Sequence, residues 1–306
     1  MTKPTIAIIG GGVAGLTAAV YALRANASVT IFEKHGLGGL TATIDKIENF
    51  PTYNVVNGFD LTQNLANQVK QLGANIVLKQ VLDVKKLADG TFDVVTNKQT
   101  YNYHSVIVAT GTKHGKLGIE SNYVGKGVSY CATCDGNFFR GYDVAVVGNT
   151  NSAVKEALYL ATLCKTVYLI YNGTLESDEM NLAQLQSYAN VKLVDSSVVT
   201  ELLGKDFLEG AVVNNVASGT TTNLVIDGLF VAVGSKPETD FLANVGVETA
   251  KGFVKVDEKA QTSVEGLFGA GDVTNGALKQ IVTACGDGAK AGSFAVVYAK
   301  KLLAKR

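Results

Sequence analysis

The sequence contains 306 residues, and its 27 basic and 27 acidic side chains leave a formal net charge of zero. This balance excludes the basic surface that is typical of nucleic-acid-binding proteins, and the 47% apolar content excludes a disordered chain. At roughly 150 residues per domain, the length predicts two globular domains. The 33 glycines exceed the typical level of about 7% and need a local explanation.

The first predicted element is a buried strand over residues 6–9, followed by a glycine turn and a helix from Val13 to about Ala25. The uncharged run from Thr5 to Leu23 also has features of a signal peptide or a membrane helix. Three consecutive glycines interrupt this run, which favours a strand and a helix over a bilayer span. We therefore expect a cytoplasmic protein without a membrane segment.

The glycine turn has the spacing of a dinucleotide-binding fingerprint. Gly10 permits a tight turn, Gly12 lets the backbone approach a pyrophosphate, and Gly15 lets helix and strand pack closely. Free N–H groups at the helix start attract phosphates. The next predicted strand, 28–32, ends at Glu33, whose carboxylate is placed to accept hydrogen bonds from a ribose.

A similar strand, turn and helix pattern recurs 138 residues later. Its predicted elements are a strand over Asp143–Val147, a turn at 148–153, a helix over Ala153–Leu163 and a strand over Val167–Ile170. Two related α/β domains are the economical interpretation. Near the end of the chain, a strand over 266–269 leads to Asp272, and a helix follows from about Gln280 to Leu303. Asp272 is placed for cofactor hydroxyls, although a plain N-cap is the alternative.

Cys131 and Cys134 form a C-x-x-C pair, a spacing typical of redox chemistry in a cytosolic protein. Half of a zinc site is the alternative, but zinc needs four ligands and no second pair of cysteines or histidines follows. The other cysteines are expected to pack as small apolar residues, and the histidines to lie in loops or on the surface: Cys164, Cys285, His35, His104 and His114.

These motifs resemble those of the low-molecular-weight thioredoxin reductases, over essentially the whole chain. The matching segments, in the family's order, are Gly10–Gly15, Glu33, Glu48–Pro51, Ala109–Gly111, Cys131–Gly136 and Gly269–Asp272. The resemblance implies an α/β fold with two three-layer Rossmann-like domains. It implies an FAD domain of residues 1–113 and 243–306, an inserted dithiol domain of residues 114–242, and a homodimer.

The resemblance also implies the roles of individual residues. FAD is expected to contact Gly10, Gly12, Ala14, Gly15, Glu33, Gly39, Leu40, Asn49, Ala109, Thr110, Gly111, Gly271, Asp272, Lys279, Gln280 and Ile281. Leu40 replaces a glutamine of the family, which we expect to alter the flavin's potential. Cys134 is expected to take electrons from the flavin, and Cys131 to attack the thioredoxin disulfide. Asp135 is the expected acid and base for the departing thiol.

The second glycine turn departs from the family pattern of NADPH users. Thr150 stands where the pyrophosphate needs bare backbone. The strand end reads Tyr171-Asn172-Gly173 where NADPH users have His-Arg-Arg, and Glu176 would repel a 2′-phosphate. An intact FAD site beside a degraded nucleotide site resembles the pyridine-nucleotide-independent branch, which takes electrons from ferredoxin or flavodoxin.

Other interpretations stay open at this stage. The chain could be an NAD(P)H-dependent reductase with an atypical nucleotide site, a reductase of another small disulfide protein, or a flavin-binding redox sensor without turnover. Lys113, Lys116 and the basic C-terminal segment 300–306 could attract an acidic ferredoxin, although a solvated helix end is an equally good interpretation of that segment.

Overall fold

The computed structural model describes residues 3–44 and 46–305, and within it the chain forms two compact units. The first unit runs to Lys113 and resumes at Pro237, and the second spans His114–Lys236. The return to the first unit falls six residues before the expected position 243, because a short 3-10 turn at Asp240–Leu242 buries Leu242 in the first unit's core.

Within the described residues, the first unit contains three α-helices and sheets of five, three and two strands. Its elements before the insertion are β1 (Thr5–Ile9), α1 (Val13–Arg24), β2 (Ser28–Glu33), α2 (Gly58–Gln71), β3 (Asn75–Leu78), β4 (Val81–Lys86), β5 (Phe92–Thr96), β6 (Thr100–Tyr103) and β7 (Ser105–Val108). The chain leaves this unit in β8 (Thr112–His114).

The second unit contains helices α3, α4 and α5. Its elements are β9 (Val128–Ser129), α3 (Ala132–Asp135), β10 (Asp143–Val147), α4 (Asn151–Ala161), β11 (Thr166–Ile170), α5 (Glu179–Ser187), β12 (Val191–Val194), β13 (Ser197–Leu203), β14 (Gly210–Asn215), β15 (Thr221–Val225) and β16 (Gly228–Val231). After β17 (Ser235–Pro237), the first unit is completed by β18 (Thr249–Ala250), β19 (Phe253–Val254), β20 (Leu267–Gly269) and α6 (Ile281–Ala304).

Each unit is built on a five-stranded parallel sheet, in the order β20-β7-β1-β2-β3 in the first and β12-β11-β10-β16-β9 in the second. An antiparallel sheet of three strands accompanies each one, β4-β5-β6 and β13-β14-β15. The predicted mixed α/β fold is confirmed. Helix α4 begins and ends two residues before the predicted limits, because Thr150 already caps its start.

Small residues let α1 and α6 pack closely on one face of the first sheet. Ala18 and Ala22 of α1 and Ala291 and Ala295 of α6 are fully buried in one cluster. This packing brings the first turn of α1 beside the loop that precedes α6, where Gly271 approaches Ala14. In the described part of the chain, no helix is both long and apolar enough to cross a membrane.

Candidate active site

In the turn between β1 and α1, two glycines are required by packing and a third leaves room for a ligand. Gly10 has a φ of 110°, and a Cβ there would lie 2.2 Å from the Ala109 carbonyl oxygen. A Cβ on Gly15 would lie 2.0 Å from the Gly10 carbonyl oxygen. Both glycines are therefore required by the protein's own packing.

Gly12 is different, because nothing in the fold requires it to be glycine. Its backbone is extended, with a φ of −77°, and the nearest heavy atom to a Cβ would be the Cα of Gly39, 3.9 Å away. Gly12 caps α1 without a side-chain hydrogen bond, and we call the open space at its Cβ position, at the start of the helix, the cradle. Such a helix start suits a phosphate, which the dinucleotide fingerprint predicted.

Glu33 ends β2 beside this turn. Its Oε2 accepts a hydrogen bond from the Gly11 N–H at 2.8 Å, and its Oε1 accepts one from the His35 N–H at 2.9 Å. A carboxylate has about four acceptor positions, so each oxygen keeps capacity for a ribose hydroxyl. The two backbone bonds hold the carboxylate in place.

Two further predicted cofactor segments lie at the same edge of the first sheet. Because β1, β2, β7 and β20 are parallel neighbours, their carboxyl ends lie side by side. The segment Ala109–Gly111 follows β7, where the Thr110 hydroxyl donates to the Glu238 carbonyl oxygen at 2.8 Å. Asp272 follows β20, and burial raises the pKa of its carboxyl, an effect that Lys279 opposes.

The loop before α6 is ordered by its own polar groups. Lys279 Nζ donates to the carbonyl oxygens of Asp272, at 3.1 Å, and Thr274, and lies 4.8 Å from the centre of the Phe253 ring. Burial lowers the pKa of this ammonium. Lys279, which is predicted to contact the cofactor, therefore uses its ammonium group to order this loop.

Two predicted cofactor residues meet across 231 positions of sequence, since Asn49 Nδ2 donates to Gln280 Oε1 at 3.0 Å. Gln280 also forms a capping box with Thr283, which starts α6 at Ile281. Gly39 has a φ of 59° and opens a 3-10 turn in which Leu40 is 46% exposed. Leu40 is therefore partly exposed at this turn.

In the second unit, Cys131 and Cys134 are joined in a disulfide with their Cα atoms 5.3 Å apart. Cys131 directly precedes the short helix α3, and its N–H donates to Ser129 Oγ at 3.1 Å. The Cys131 sulfur lies 3.4 Å from the Thr133 hydroxyl oxygen. In residues 3–44 and 46–305, no group of three or more His, Cys, Asp or Glu side chains is placed to hold a metal ion.

Asp135 ends α3 directly after Cys134. Burial raises the pKa of its carboxyl, and the Ser129 hydroxyl, which donates to Oδ2 at 2.6 Å, opposes this shift. A raised pKa favours the protonated carboxyl, which is the form that can donate a proton to a departing thiolate. Ser129 contacts both Cys131 and Asp135, and the sequence analysis did not single it out.

Two glutamates near the dithiol were also missed, of which Glu120 is buried and Glu156 is half-buried. Glu120 is only 2% exposed, and its Oε1 accepts from the Tyr130 hydroxyl at 2.9 Å and from the Leu117 N–H at 3.0 Å. Burial raises the pKa of Glu120, but its hydrogen bonds outweigh burial and lower it overall. Burial raises the pKa of Glu156 to about 8, with the Ala132 backbone N–H acting in the opposite direction.

The expectation that the histidines lie in loops or on the surface holds for His104, in the bend between β6 and β7, and is wrong for His114, which ends the strand β8. His104 is half-buried, with Nδ1 3.1 Å from the Thr5 nitrogen and 2.6 Å from its hydroxyl oxygen. His114 is half-buried, and its ring stacks on Tyr130 with centroids 5.2 Å apart. His35 is exposed, as predicted.

The remaining cysteines are not bonded to each other. Cys164 is a buried core residue, which confirms the prediction, and burial raises the pKa of its thiol to about 11. Cys285 is half-buried and packs against the core of the first unit. Burial raises the pKa of the Cys285 thiol, and Thr17 opposes that shift.

The second glycine turn keeps the backbone shape of the first but not its open cradle. Gly148 has a φ of 146°, and a Cβ there would lie 2.3 Å from the Ala232 carbonyl oxygen, the counterpart of the Gly10 contact. Thr150 occupies the position of Gly12. Its hydroxyl accepts from the Ala153 N–H at 3.4 Å and donates to the Ala232 carbonyl oxygen at 3.3 Å.

The loop after β11 is tied to this turn. The Glu176 N–H donates to the Asn149 carbonyl oxygen at 2.7 Å, and the Ser177 hydroxyl donates to Asn151 Oδ1 at 2.7 Å. Gly173 has a φ of 92°, a conformation that an arginine would rarely adopt. The polar groups at the start of α4 are therefore engaged with the chain itself.

Lys113, predicted to help attract an acidic partner, is paired within the first unit. Its ammonium and that of Lys34 both contact the carboxylate of Glu238. Because Glu238 offsets part of this positive charge, Lys113 contributes less to a basic surface than the sequence indicated.

A carboxylate beside the start of a glycine-turn helix and a C-x-x-C disulfide followed by an aspartate are features of a dinucleotide-binding disulfide oxidoreductase. The family described as "Pyridine nucleotide-disulphide oxidoreductase" matches residues 4–288, and the chain belongs to this family. The thioredoxin reductases of this family are FAD-binding flavoproteins. The open cradle at Gly12 and the capacity of the Glu33 carboxylate fit that cofactor.

Individual relatives match the chain over nearly its full length. A thioredoxin reductase of Treponema pallidum is 35% identical over 301 residues, which covers 97% of both chains. The 34.2 kDa protein in the rubredoxin operon of Clostridium pasteurianum is 33% identical and covers 96% of both chains. The crystal structure of thioredoxin reductase from Streptococcus pyogenes aligns with a TM-score of 0.91 at 34% identity, over 98% of this chain and 100% of that one.

Proposed function

We propose that this protein is an FAD-dependent thioredoxin reductase that takes its electrons from a one-electron carrier of the ferredoxin or flavodoxin type instead of NADPH. The dithiol and the FAD-type cradle support the reductase activity. The relatives named thioredoxin reductase support thioredoxin as the substrate. In this proposal the enzyme acts as a homodimer.

One observation carries the choice of electron donor. The two glycine turns of the chain can be compared directly, because Gly10 and Gly148 each lie close to a backbone carbonyl oxygen of a neighbouring strand end. In the first turn, the helix start faces an open cradle at Gly12. In the second, the Thr150 side chain caps the helix and fills the corresponding position. A pyrophosphate at the second turn would have to displace this cap.

The strand end after the second turn supports the same conclusion. NADPH users present guanidinium groups to the 2′-phosphate, whereas this chain presents Asn172 and Gly173. The positive φ of Gly173 and the bond from Glu176 to Asn149 hold the loop in a shape unsuited to an arginine at position 173. NADH lacks the 2′-phosphate but needs the same pyrophosphate site.

When bound, FAD supplies the electrons for disulfide reduction and can accept them singly from a one-electron carrier. The chain's own residues then handle the protons and the sulfur exchange. In this proposal Asp135, whose pKa is raised by burial, donates the proton to the thiolate that leaves when the Cys131–Cys134 bond breaks. Cys131 attacks the disulfide of thioredoxin to form a mixed disulfide, and Cys134 attacks Cys131 to release the reduced product.

The disulfide-reductase part can be tested without the physiological donor. Holoprotein reduced by light and a deazaflavin under anaerobic conditions should regain its oxidised flavin spectrum when oxidised thioredoxin is added. Cys134→Ser should block this recovery, and Cys164→Ser, which removes a buried thiol outside the disulfide, should leave it intact. Recovery that persists in Cys134→Ser would overturn the proposal, and a wild-type protein that fails to recover would be the redox sensor without turnover.

The donor part is tested by calorimetric titration of the oxidised holoprotein with NADPH and NADH. We expect no saturable binding of either nucleotide at submillimolar concentration. A micromolar dissociation constant for either nucleotide would overturn the assignment of the donor while leaving the reductase activity in place.

A further inference from the structure

Glu156 lies on the face of α4 that packs into the core of the second unit. It stands three residues after Ala153 and four before Leu160, both of which are fully buried, so helical spacing directs its side chain inward. Helix α3 packs against this face, since Ala132 belongs to the same buried cluster. The backbone N–H of Ala132, the residue that follows Cys131, is accordingly close enough to the Glu156 carboxyl to lower its pKa.

Among the described residues, no cation pairs with the Glu156 carboxyl to balance its charge. Its Oε2 is buried without a hydrogen-bond partner. An unpaired carboxylate is costly to bury, and such a group keeps its proton. Burial raises its pKa to about 8, and the Ala132 N–H is the one group that opposes this shift.

The other titratable groups around α4 lie on the elements packed against it. They are Asp135 on α3, Asp143 on β10, Tyr168 on β11, Glu179 on α5, and Lys155 and Tyr159 on α4 itself. None of these described side chains contributes to the shift at Glu156. The proton on Glu156 therefore responds mainly to burial and to charge that appears in the adjacent turn.

We propose that Glu156 is a positioning residue for the Cys131–Cys134 pair, and that its proton couples the reduction of this disulfide to pH. The proposal rests on the redox role of the dithiol but not on the identity of the electron donor. Reduction breaks the S–S bond, takes two electrons from the enzyme's flavin and one proton from solvent, and leaves one thiol and one thiolate. The turn thereby gains one negative charge.

The state of Glu156 decides how easily this charge is accepted. A neutral Glu156 carboxyl presents no repulsion to the new thiolate, whereas a buried Glu156 anion opposes it. Reduction must therefore raise the affinity of Glu156 for its proton. By linkage, the protonated carboxyl makes the disulfide easier to reduce, and loss of the proton makes it harder.

The reduction equilibrium of the holoprotein, measured against pH, tests this coupling. Protein is equilibrated anaerobically in dithiothreitol redox buffers from pH 6 to pH 10, thiols are trapped with a maleimide, and the peptide containing both cysteines is quantified by mass spectrometry. Above about pH 8, the wild-type equilibrium constant should fall by up to an additional factor of ten per pH unit, or about 29.6 mV for a two-electron couple.

The isosteric variant Glu156→Gln should lose this additional slope, and Glu179→Gln, at an exposed glutamate of the same unit, should keep it. Comparison within the same buffers cancels the titration of dithiothreitol. If Glu156→Gln and the wild type have superimposable pH profiles, the coupling is refuted. Because thioredoxin and ferredoxin are absent, failure of the proposed function would not affect this readout.

A second measurement does not depend on any variant. With carboxyl-¹³C-labelled glutamate, one resonance of the oxidised holoprotein should titrate near pH 8, which identifies Glu156. In the reduced protein the same resonance should titrate at higher pH. Equal pKa values in the two redox states would overturn the proposal, as would the lack of any glutamate that titrates near pH 8.

Discussion

Alanine substitutions at Gly12 and Gly15 should separate cofactor binding from folding. A Cβ at Gly15 would lie 2.0 Å from a backbone carbonyl oxygen, which cannot move without distorting the turn. We expect Gly15→Ala to destabilise the protein by about 1–3 kcal/mol, as overpacking does elsewhere. A Cβ at Gly12 meets no atom within 3.8 Å and suits the extended backbone, so Gly12→Ala should change stability by about 0.5 kcal/mol or less.

FAD affinity, in contrast, should be affected directly by Gly12→Ala. The Gly12→Ala methyl group enters the cradle above the start of α1, and we expect at least a tenfold loss of FAD affinity, about 1.4 kcal/mol. Urea unfolding of the flavin-free proteins gives the stability, and quenching of FAD fluorescence gives the affinity. A Gly12→Ala protein that binds FAD as tightly as the wild type would refute this placement of the phosphates, and a fully stable Gly15→Ala protein would refute the packing argument.

Three further predictions concern the second unit. Glu156 has a higher pKa in the folded protein than in the unfolded chain, so its stabilising contribution is complete below about pH 4.5 and is lost as the pH rises to about 8. Relative to the wild type, Glu156→Gln should therefore gain at most about 5 kcal/mol of unfolding free energy between pH 5 and pH 9, measured by urea unfolding. A stability difference that stays constant with pH would contradict the burial of this carboxyl. Thr150→Ala should destabilise the protein by about 1 kcal/mol through loss of the helix cap, whereas Thr150→Gly should cost only a few tenths of a kcal/mol. The flavin of Thr150→Gly should still not be reduced by NADPH, because the strand end lacks arginines. Rapid bleaching of that flavin by NADPH would show that the threonine alone blocks the site. Cys164 should resist maleimide at pH 8 in the native protein and react in urea, because burial raises its pKa to about 11; native labelling, read by mass spectrometry, would contradict its placement in the core.

Local sequence patterns were sufficient to predict the first glycine turn. The spacing of Gly10, Gly12 and Gly15 specifies a turn whose geometry is local, and the adjacent strand and helix have clear periodicity. The comparison of the two turns was also available from the sequence, because Thr150 aligns with Gly12 at a fixed offset. What the threonine does there, namely capping α4, is a geometric fact that needed the structure.

Contacts between distant segments were beyond the sequence. The pairing of Lys113 with Glu238 and the contact of Asn49 with Gln280 join segments far apart in the chain, and no pattern links them. The position of Glu156 could have been predicted from the sequence, since it interrupts the apolar spacing between Ala153 and Leu160. A charged residue on the apolar face of a helix beside a C-x-x-C pair is a sign that such a carboxyl is buried.

The proposed electron donor depends most on the inability of the second glycine turn to hold a pyridine nucleotide. Anaerobic stopped-flow mixing of the oxidised holoprotein with NADPH, NADH or pre-reduced ferredoxin, monitored by flavin absorbance, tests it directly. We predict prompt bleaching by reduced ferredoxin and none by either nucleotide on the timescale of turnover, because Thr150 and the loop tied to Asn149 close the start of α4. Prompt bleaching by NADPH would show that the second nucleotide site still works.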